Sequence, residues 1–266
     1  MGLRNVFSGK EKAKGLGKRY VSFEEALKEC NTQSGYEDSE LCKVVALKTL
    51  TYKESIQRRP YFINSTQSYL TLAIQYILLG KEDDKLTIID FGGACGTHYY
   101  ETRRLLKDDI KLQWNIIETR EMIKQARENG LEGGEVGFYG DINSAKGEMV
   151  YLSSSIQYVP KPYAVIDNII SAGYPYILFN RMMLNEGTDE DIVTVQQSRL
   201  SDNGPGVMPE GFTDRTIFYP HTTMSYKRFM NKFGEKYELV LKFDEQSGKV
   251  SNEEGITGNG FLFIKK

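Results

Sequence analysis

Apolar residues over the first eighty positions recur at helical spacing. Ser22-Phe23-Glu24-Glu25 has the form of a capping box, which predicts a short helix running to Cys30. Leu41, Val44, Val45 and Lys48 fall on neighbouring turns of a second helix that starts at Ser39. After Pro60, Tyr69, Leu70, Ala73, Tyr76 and Ile77 predict a third helix, capped by Ser65 and ended by Gly80. From Lys81 the pattern changes to short apolar runs alternating with helical stretches, the mark of βαβ units in a mostly parallel sheet. Strands are expected at Leu86 to Asp90, Leu112 to Ile117, Val136 to Tyr139, Met149 to Ser153 and Tyr176 to Phe179. Helices at Tyr99 to Lys107, Glu121 to Asn129 and Tyr163 to Ile170 stand between them.

Past Arg181 the pattern loosens. Asn185 to Asp191 reads as a loop, Ile192 to Gln197 as a strand, and the Gly- and Pro-rich stretch Ser201 to Asp214 as a lid. A helix at Ser225 to Phe233 and strands at Tyr237 to Phe243 and Gly260 to Ile264 follow, with a turn-rich segment, Ser247 to Gly258, between the two strands. They suggest an antiparallel pair closing a parallel sheet. The division expected is a helical preface, residues 1–80, followed by an α/β domain, residues 81–266.

Composition removes several function classes. With 40% hydrophobic and 26% charged residues and no apolar run near the roughly 20 that a spanning helix needs, an integral membrane protein is not expected. The Met-Gly start carries Val6 where a myristoylation signal needs Ser or Thr, and no secretory leader is recognisable, so a cytoplasmic location is expected. Cys30, Cys42 and Cys95 form no C-x-x-C pair, which gives no metal framework and fits a reducing compartment. A net charge of −2 argues against general nucleic-acid binding, and the one basic cluster, Lys10 to Arg19, reads as a loosely ordered arm.

The chemistry gathers at strand ends. In an open parallel sheet, ligands bind at the carboxyl ends of the strands near the point where strand order reverses, and a glycine turn after the first strand lets a ligand approach bare backbone. Gly92, Gly93 and Gly96 supply that turn. Their spacing misses the dinucleotide fingerprint, which disfavours a nicotinamide-dependent oxidoreductase. Asp90, just before the turn, suits a positively charged ammonium, held directly or through water, and would repel a pyrophosphate. Glu118, about 20 residues beyond the glycines, can accept from both hydroxyls of a ribose, and Asp141 from an adenine amino group. The plainer alternative makes the three acids strand-ending and helix-capping residues.

These residues carry a resemblance. Ile89-Asp90-Phe91-Gly92-Gly93-Ala94-Cys95-Gly96-Thr97-His98-Tyr99-Tyr100, Trp114 to Thr119, Tyr151 to Tyr158 and Ile177 to Arg181 resemble class I S-adenosylmethionine (SAM)-dependent methyltransferases. More narrowly, they are similar to a methyltransferase family associated with bacterial surface-polysaccharide gene clusters. The resemblance covers roughly residues 86 to 265 and the preface more loosely. It implies a Rossmann-like doubly wound seven-stranded sheet with one antiparallel strand, SAM across the strand ends, S-adenosylhomocysteine as product, and methylation of a sugar-related acceptor. Ala94 replaces the usual third glycine, which is tolerable if its φ is negative. Asp90, Gly92, Gly93, Gly96, Glu118, Thr119, Asp141, Ile142, Ser153 and Ser154 are the cofactor-binding set on this reading.

Ser153-Ser154-Ser155 stands where catechol-type and amino-methylating members carry acidic or Asn-Pro-Pro-Tyr sequences, which argues against a metal-bound catechol and against DNA adenine. Ser153 and Ser154 could orient the cofactor or an oxygen-rich acceptor, or merely cap a helix. His98 and His221, the two histidines, are candidate general bases, and Arg181 a grip for a phosphate or carboxylate. Tyr99, Tyr100 and Tyr158 are candidate pocket walls. The expected partner is a small sugar- or phosphate-bearing acceptor, with a homodimer left open; no metal is expected. A noncatalytic SAM-fold scaffold or partner subunit is the alternative.

Overall fold

The computed structural model describes residues 17–30, 35–244 and 255–266. The N-terminal start with Val6, the basic cluster up to Gly15 and most of the turn-rich segment from Ser247 lie outside the described residues. In chain order the elements are β1 (Arg19–Tyr20), α1 (Phe23–Lys28), α2 (Ser39–Ser55), α3 (Ser65–Leu79), β2 (Lys85–Phe91), α4 (Thr97–Arg103), β3 (Lys111–Ile117), α5 (Arg120–Glu128), β4 (Val136–Tyr139), β5 (Met149–Ser153), α6 (Pro162–Ala172), β6 (Tyr176–Asn185), β7 (Ile192–Arg199), β8 (Thr216–Ser225), α7 (Tyr226–Asn231), β9 (Tyr237–Asp244) and β10 (Ile256–Lys265). Single 3₁₀ turns cover Gly35–Glu37, Ile142–Ser144, Ser155–Tyr158 and Leu200–Asp202.

The main sheet runs β4-β3-β2-β5-β6-β10-β9. β2 to β6 pair in parallel, while β10 is antiparallel to both β6 and β9 and is the one reversed strand of the seven. The expected α/β class, Rossmann-like and doubly wound, is what the chain adopts. Chain order runs outward from β2 to β4 and returns to the other side of β2 at β5, so the reversal lies between β2 and β5. β2, β3 and β5 are buried on both faces, which explains why they read as continuous apolar runs. One face packs on α2 to α5 through Val44, Leu70, Ile74, Trp114 and Met122, the other on α6 and α7 through Ile166, Ile169 and Phe229.

Four local expectations are corrected. The α3 cap is Asn64, whose side chain accepts from the Gln67 amide while Gln67 returns the bond; Ser65 is already in the helix. α4 begins at Thr97, two residues early, because Gly96 at φ 87° turns the chain straight into it. β6 continues past Phe179 to Asn185, paired with β10 on either side of a bulge at Asn180 and Arg181, so Arg181 lies inside the strand and not beyond it. Finally, Thr216–Ser225, which the sequence did not mark as a strand, pairs antiparallel with β7. With β1 the two make a small second sheet, joined to β6 through Leu184↔Met224 and Asn185↔Ser225.

The Gly- and Pro-rich stretch connects β7 to β8 and is fastened to α2. The buried Lys48 ammonium donates to the carbonyls of Ser201 and Asn203 at 2.6 and 2.8 Å. Arg215 grips Asp38 bidentately at 2.9 and 2.8 Å and donates to Glu40 at 2.8 Å. Gly204, at φ 72°, has its Cβ direction 3.3 Å from Val45 Cα, so backbone lies directly on the helix. Among the described residues no helix is long and apolar enough to cross a membrane, and no group of three His, Cys, Asp or Glu side chains could hold a metal ion.

Candidate active site at the strand ends

The turn after β2 is built around two carboxylates. Asp90 ends the buried run of β2 with no exposed surface. Its Oδ2 accepts from Trp114 Nε1 at 3.0 Å and lies 3.0 Å from His98 Nδ1, while Oδ1 has no partner in the chain. Glu118, just beyond β3, holds the turn from the other side: Oε1 accepts from the Ala94 amide at 2.9 Å and Oε2 from the Thr119 amide at 2.8 Å. Burial outweighs those two bonds and pushes its carboxyl up to about 7.

The glycines are needed first for packing against the protein itself. A Cβ on Gly92 (φ 70°) would sit 2.4 Å from Ser155 Cβ, and one on Gly93 2.5 Å from the Asp90 carboxylate. The loop therefore lies on the carboxylate that precedes it. Ala94 has φ 49°, which overturns the expectation of a negative value: it occupies the left-handed conformation that glycine would take without strain. The Cys95 thiol is buried and burial drives its ionisation far upward, so it is a packing residue of the loop.

Ala94, Ser154 and Arg181 are the non-glycine residues with positive φ among the described ones, at 49°, 63° and 54°. Ala94 and Ser154 stand just beyond the carboxyl ends of β2 and β5, with Arg181 inside β6 and level with the end of β5, and such strain persists only where the surroundings enforce it. Gln157 enforces two of them. Its buried amide donates to Ser154 Oγ at 2.9 Å and to the Arg181 carbonyl at 3.2 Å, and its oxygen accepts from the Met183 amide at 2.7 Å. Ser153 accepts from Arg181 Nε at 2.8 Å on Oγ and from Nη2 at 3.1 Å on its carbonyl. Ser153 and Ser154 thus shape the β5–β6 corner, and Ser154 makes no side-chain cap.

Beyond this corner stands an aromatic wall. Tyr158 meets Tyr36, Tyr219 and His221 edge-on at 5.5, 5.5 and 5.1 Å, Tyr36 stacks on Tyr219 at 5.1 Å, and the Tyr158 hydroxyl donates to Gln196 at 2.9 Å. His221 lies in the middle of β8, 1% exposed, with neither ring nitrogen hydrogen-bonded. Burial pushes its imidazole down to about 4. Tyr99 and Tyr100, with Lys53, Arg103 and Glu135, line a cavity of about 430 Å³.

Asp141 is exposed and its Oδ1 accepts from the Asn143 amide at 2.7 Å, the capping role of the plainer alternative for that oxygen. Ile142 opens the turn it caps, and Thr119 caps α5 through Oγ1 and the Met122 amide at 3.4 Å. Sequence reasoning missed Tyr36, Tyr219, Gln157 and Trp114. A lone Gln or Trp gives no periodic signal, and the two tyrosines are brought to Tyr158 by the preface and by β8.

No family model and no curated protein matches the chain. Solved structures similar to it include a SAM-dependent methyltransferase from Clostridium acetobutylicum ATCC 824, 12% identical over 80% of this chain and 96% of that one, with a TM-score of 0.42. An O-methyltransferase family protein from Burkholderia thailandensis is 14% identical over 82% of this chain and 59% of that one, with a TM-score of 0.43. The N-methyltransferase NodS from Bradyrhizobium japonicum WM9, solved with S-adenosyl-L-homocysteine, is 10% identical over 82% and 98%, with a TM-score of 0.43. At TM-scores below 0.5 these likenesses say nothing about cofactor, substrate or reaction here.

Proposed function

We propose that the chain is a SAM-dependent methyltransferase acting on an oxygen of a small sugar, a nucleotide-linked sugar, or a phosphate- or phosphoramidate-bearing precursor of a surface glycan. The observation that carries the reading is the pair of carboxylates at the switch point, Asp90 and Glu118, closing a glycine turn between them. The donor set fits the cofactor. Each Glu118 oxygen has spent one lone pair on an amide and keeps another for a ribose hydroxyl. Asn180 Oδ1 is a buried acceptor without a partner among the described residues, level with the end of β5, and the fully buried Asp90 carboxyl lies behind the loop where an ammonium-bearing arm would lie. The free Asp141 oxygen suits an exocyclic amine.

Bound SAM supplies an electrophilic methyl on a sulfonium. The chain's task is alignment, since methyl transfer is an in-line displacement. Ser153 and Gln157 fix the Arg181 corner, from which the guanidinium would hold the acceptor's anionic group. His221, unpaired on both nitrogens, is the candidate for the acceptor's proton, and the burial that pushes its imidazole down to about 4 makes it a weak base until an acceptor reaches it. Extracts incubated with the protein and SAM should yield an acceptor heavier by one CH₂ in a mass-spectrometric search, lost in His221→Gln protein; no product across pooled glycan precursors would contradict the reading. The alternative is a noncatalytic SAM-fold scaffold or partner subunit. SAM affinity without turnover, together with a methyltransferase recovered as a stable partner, would establish it.

A further inference from the structure

We infer that Asp90 acts on the ligand through His98: the carboxylate fixes the imidazole as its Nδ1–H tautomer, and Nε2 accepts a hydrogen bond from the ammonium of the cofactor's amino-acid arm. This rests on the SAM reading above and replaces the role of general base considered for His98.

Asp90 cannot reach a ligand itself. It has no exposed surface, and the glycine loop lies on it so closely that a Cβ at Gly93 would be 2.5 Å from Oδ2. His98, the second residue of α4, stands 3.0 Å from that same oxygen. A carboxylate oxygen accepts only, so Nδ1 is the donor, and in the uncharged form of the ring the lone pair is on Nε2. Trp114 Nε1, at 3.0 Å from Oδ2, holds the carboxylate in place. Tyr151, edge-on at 5.1 Å, holds the ring plane.

The His98 side chain is 18% exposed. With Nδ1 turned into the buried carboxylate, Nε2 lies on the other side of the ring, and no hydrogen bond to it is made among the described residues. In its uncharged form the ring is an acceptor backed by a buried carboxylate, which suits a cationic donor, since the group behind the ring favours the ammonium without being exposed to water. The two histidines then divide the site: His98 serves the amino-acid arm beside the glycine loop, and His221 the acceptor behind the tyrosine wall.

The test uses ¹⁵N-histidine-labelled full-length protein and three ligands: S-adenosylhomocysteine, its deaminated analogue, and 5′-methylthioadenosine, which lacks the amino-acid arm. With two histidines in the chain, each ring is assigned from one variant. The expected result is a single Nδ1–H tautomer for His98, lost in Asp90→Asn. Asp90→Asn and His98→Gln should each weaken S-adenosylhomocysteine about tenfold or more and leave 5′-methylthioadenosine and the deaminated analogue unchanged. The double variant should be no weaker than either single one, as for two residues acting in series. An Nε2–H tautomer, additive losses, or equal weakening of all three ligands would overturn the inference. S-adenosylhomocysteine affinity intact in both variants would overturn it alone. No binding by the unaltered protein would overturn it together with the cofactor reading.

Discussion

Ala94 shows how a residue can match a motif and still break its rule. Read as a harmless replacement for glycine, it was expected at negative φ, yet the Glu118 carboxylate holds its amide and the loop takes φ 49°. A left-handed alanine costs about 1–2 kcal/mol, and replacing it by glycine returns part of that gain as chain entropy in the unfolded state. Ala94→Gly should therefore stabilise the protein by about 0.5 kcal/mol, read as a higher urea midpoint at unchanged slope. A loss above about 1 kcal/mol would show that the alanine methyl packs as well as strains. Of the site, the sequence made legible the residues fixed by position relative to strand ends: Asp90, Glu118 and Ser153. It could not show that Gly92 and Gly93 answer to Ser155 and Asp90, because those neighbours are brought to them by the β2–β5 pairing.

At the scale of elements, the helical period located α2 and α3, and short apolar runs located β2 to β5. They failed at β8, where Ile217, Tyr219, Pro220 and His221 sit among threonines in a strand buried on both sides. A sequence with Pro and three Thr gives no strand period, and the pairing with β7 decides its state instead. The tie between α2 and the β7–β8 connection was equally hidden, since Lys48 reads as one polar residue on an apolar face. Its ammonium donates to two carbonyls of that connection. Lys48→Met should leave both unpaired and cost about 1–3 kcal/mol, with faster hydrogen exchange confined to residues 200–214. Unchanged exchange there would mean that Arg215, with Asp38 and Glu40, holds the connection unaided.

Over the whole molecule, two buried groups pull stability in opposite directions with pH. His221 falls from 6.5 to about 4 on folding, so its contribution is present above pH 6.5 and lost as pH falls towards 4. Glu118 rises from 4.5 to about 7, so its contribution is present below pH 4.5 and lost as pH rises through 7. Between these limits the two largely offset one another. His221→Phe removes one side of the balance: it should lessen the acid loss between pH 6.5 and 4 by up to about 3 kcal/mol, seen in urea melts across that range. An acid limb identical to that of the unaltered protein would place the imidazole in contact with water.

The cofactor claim itself is tested most directly by calorimetric titration of S-adenosylhomocysteine into the unaltered protein and Glu118→Gln protein from pH 6 to 8. One site per chain is expected, tightening as Glu118 ionises around pH 7 to meet the ribose hydroxyls, and weaker and flat with pH in the Glu118→Gln protein. Absence of binding, or equal affinity and equal pH dependence in the two proteins, would contradict the placement of SAM at these strand ends.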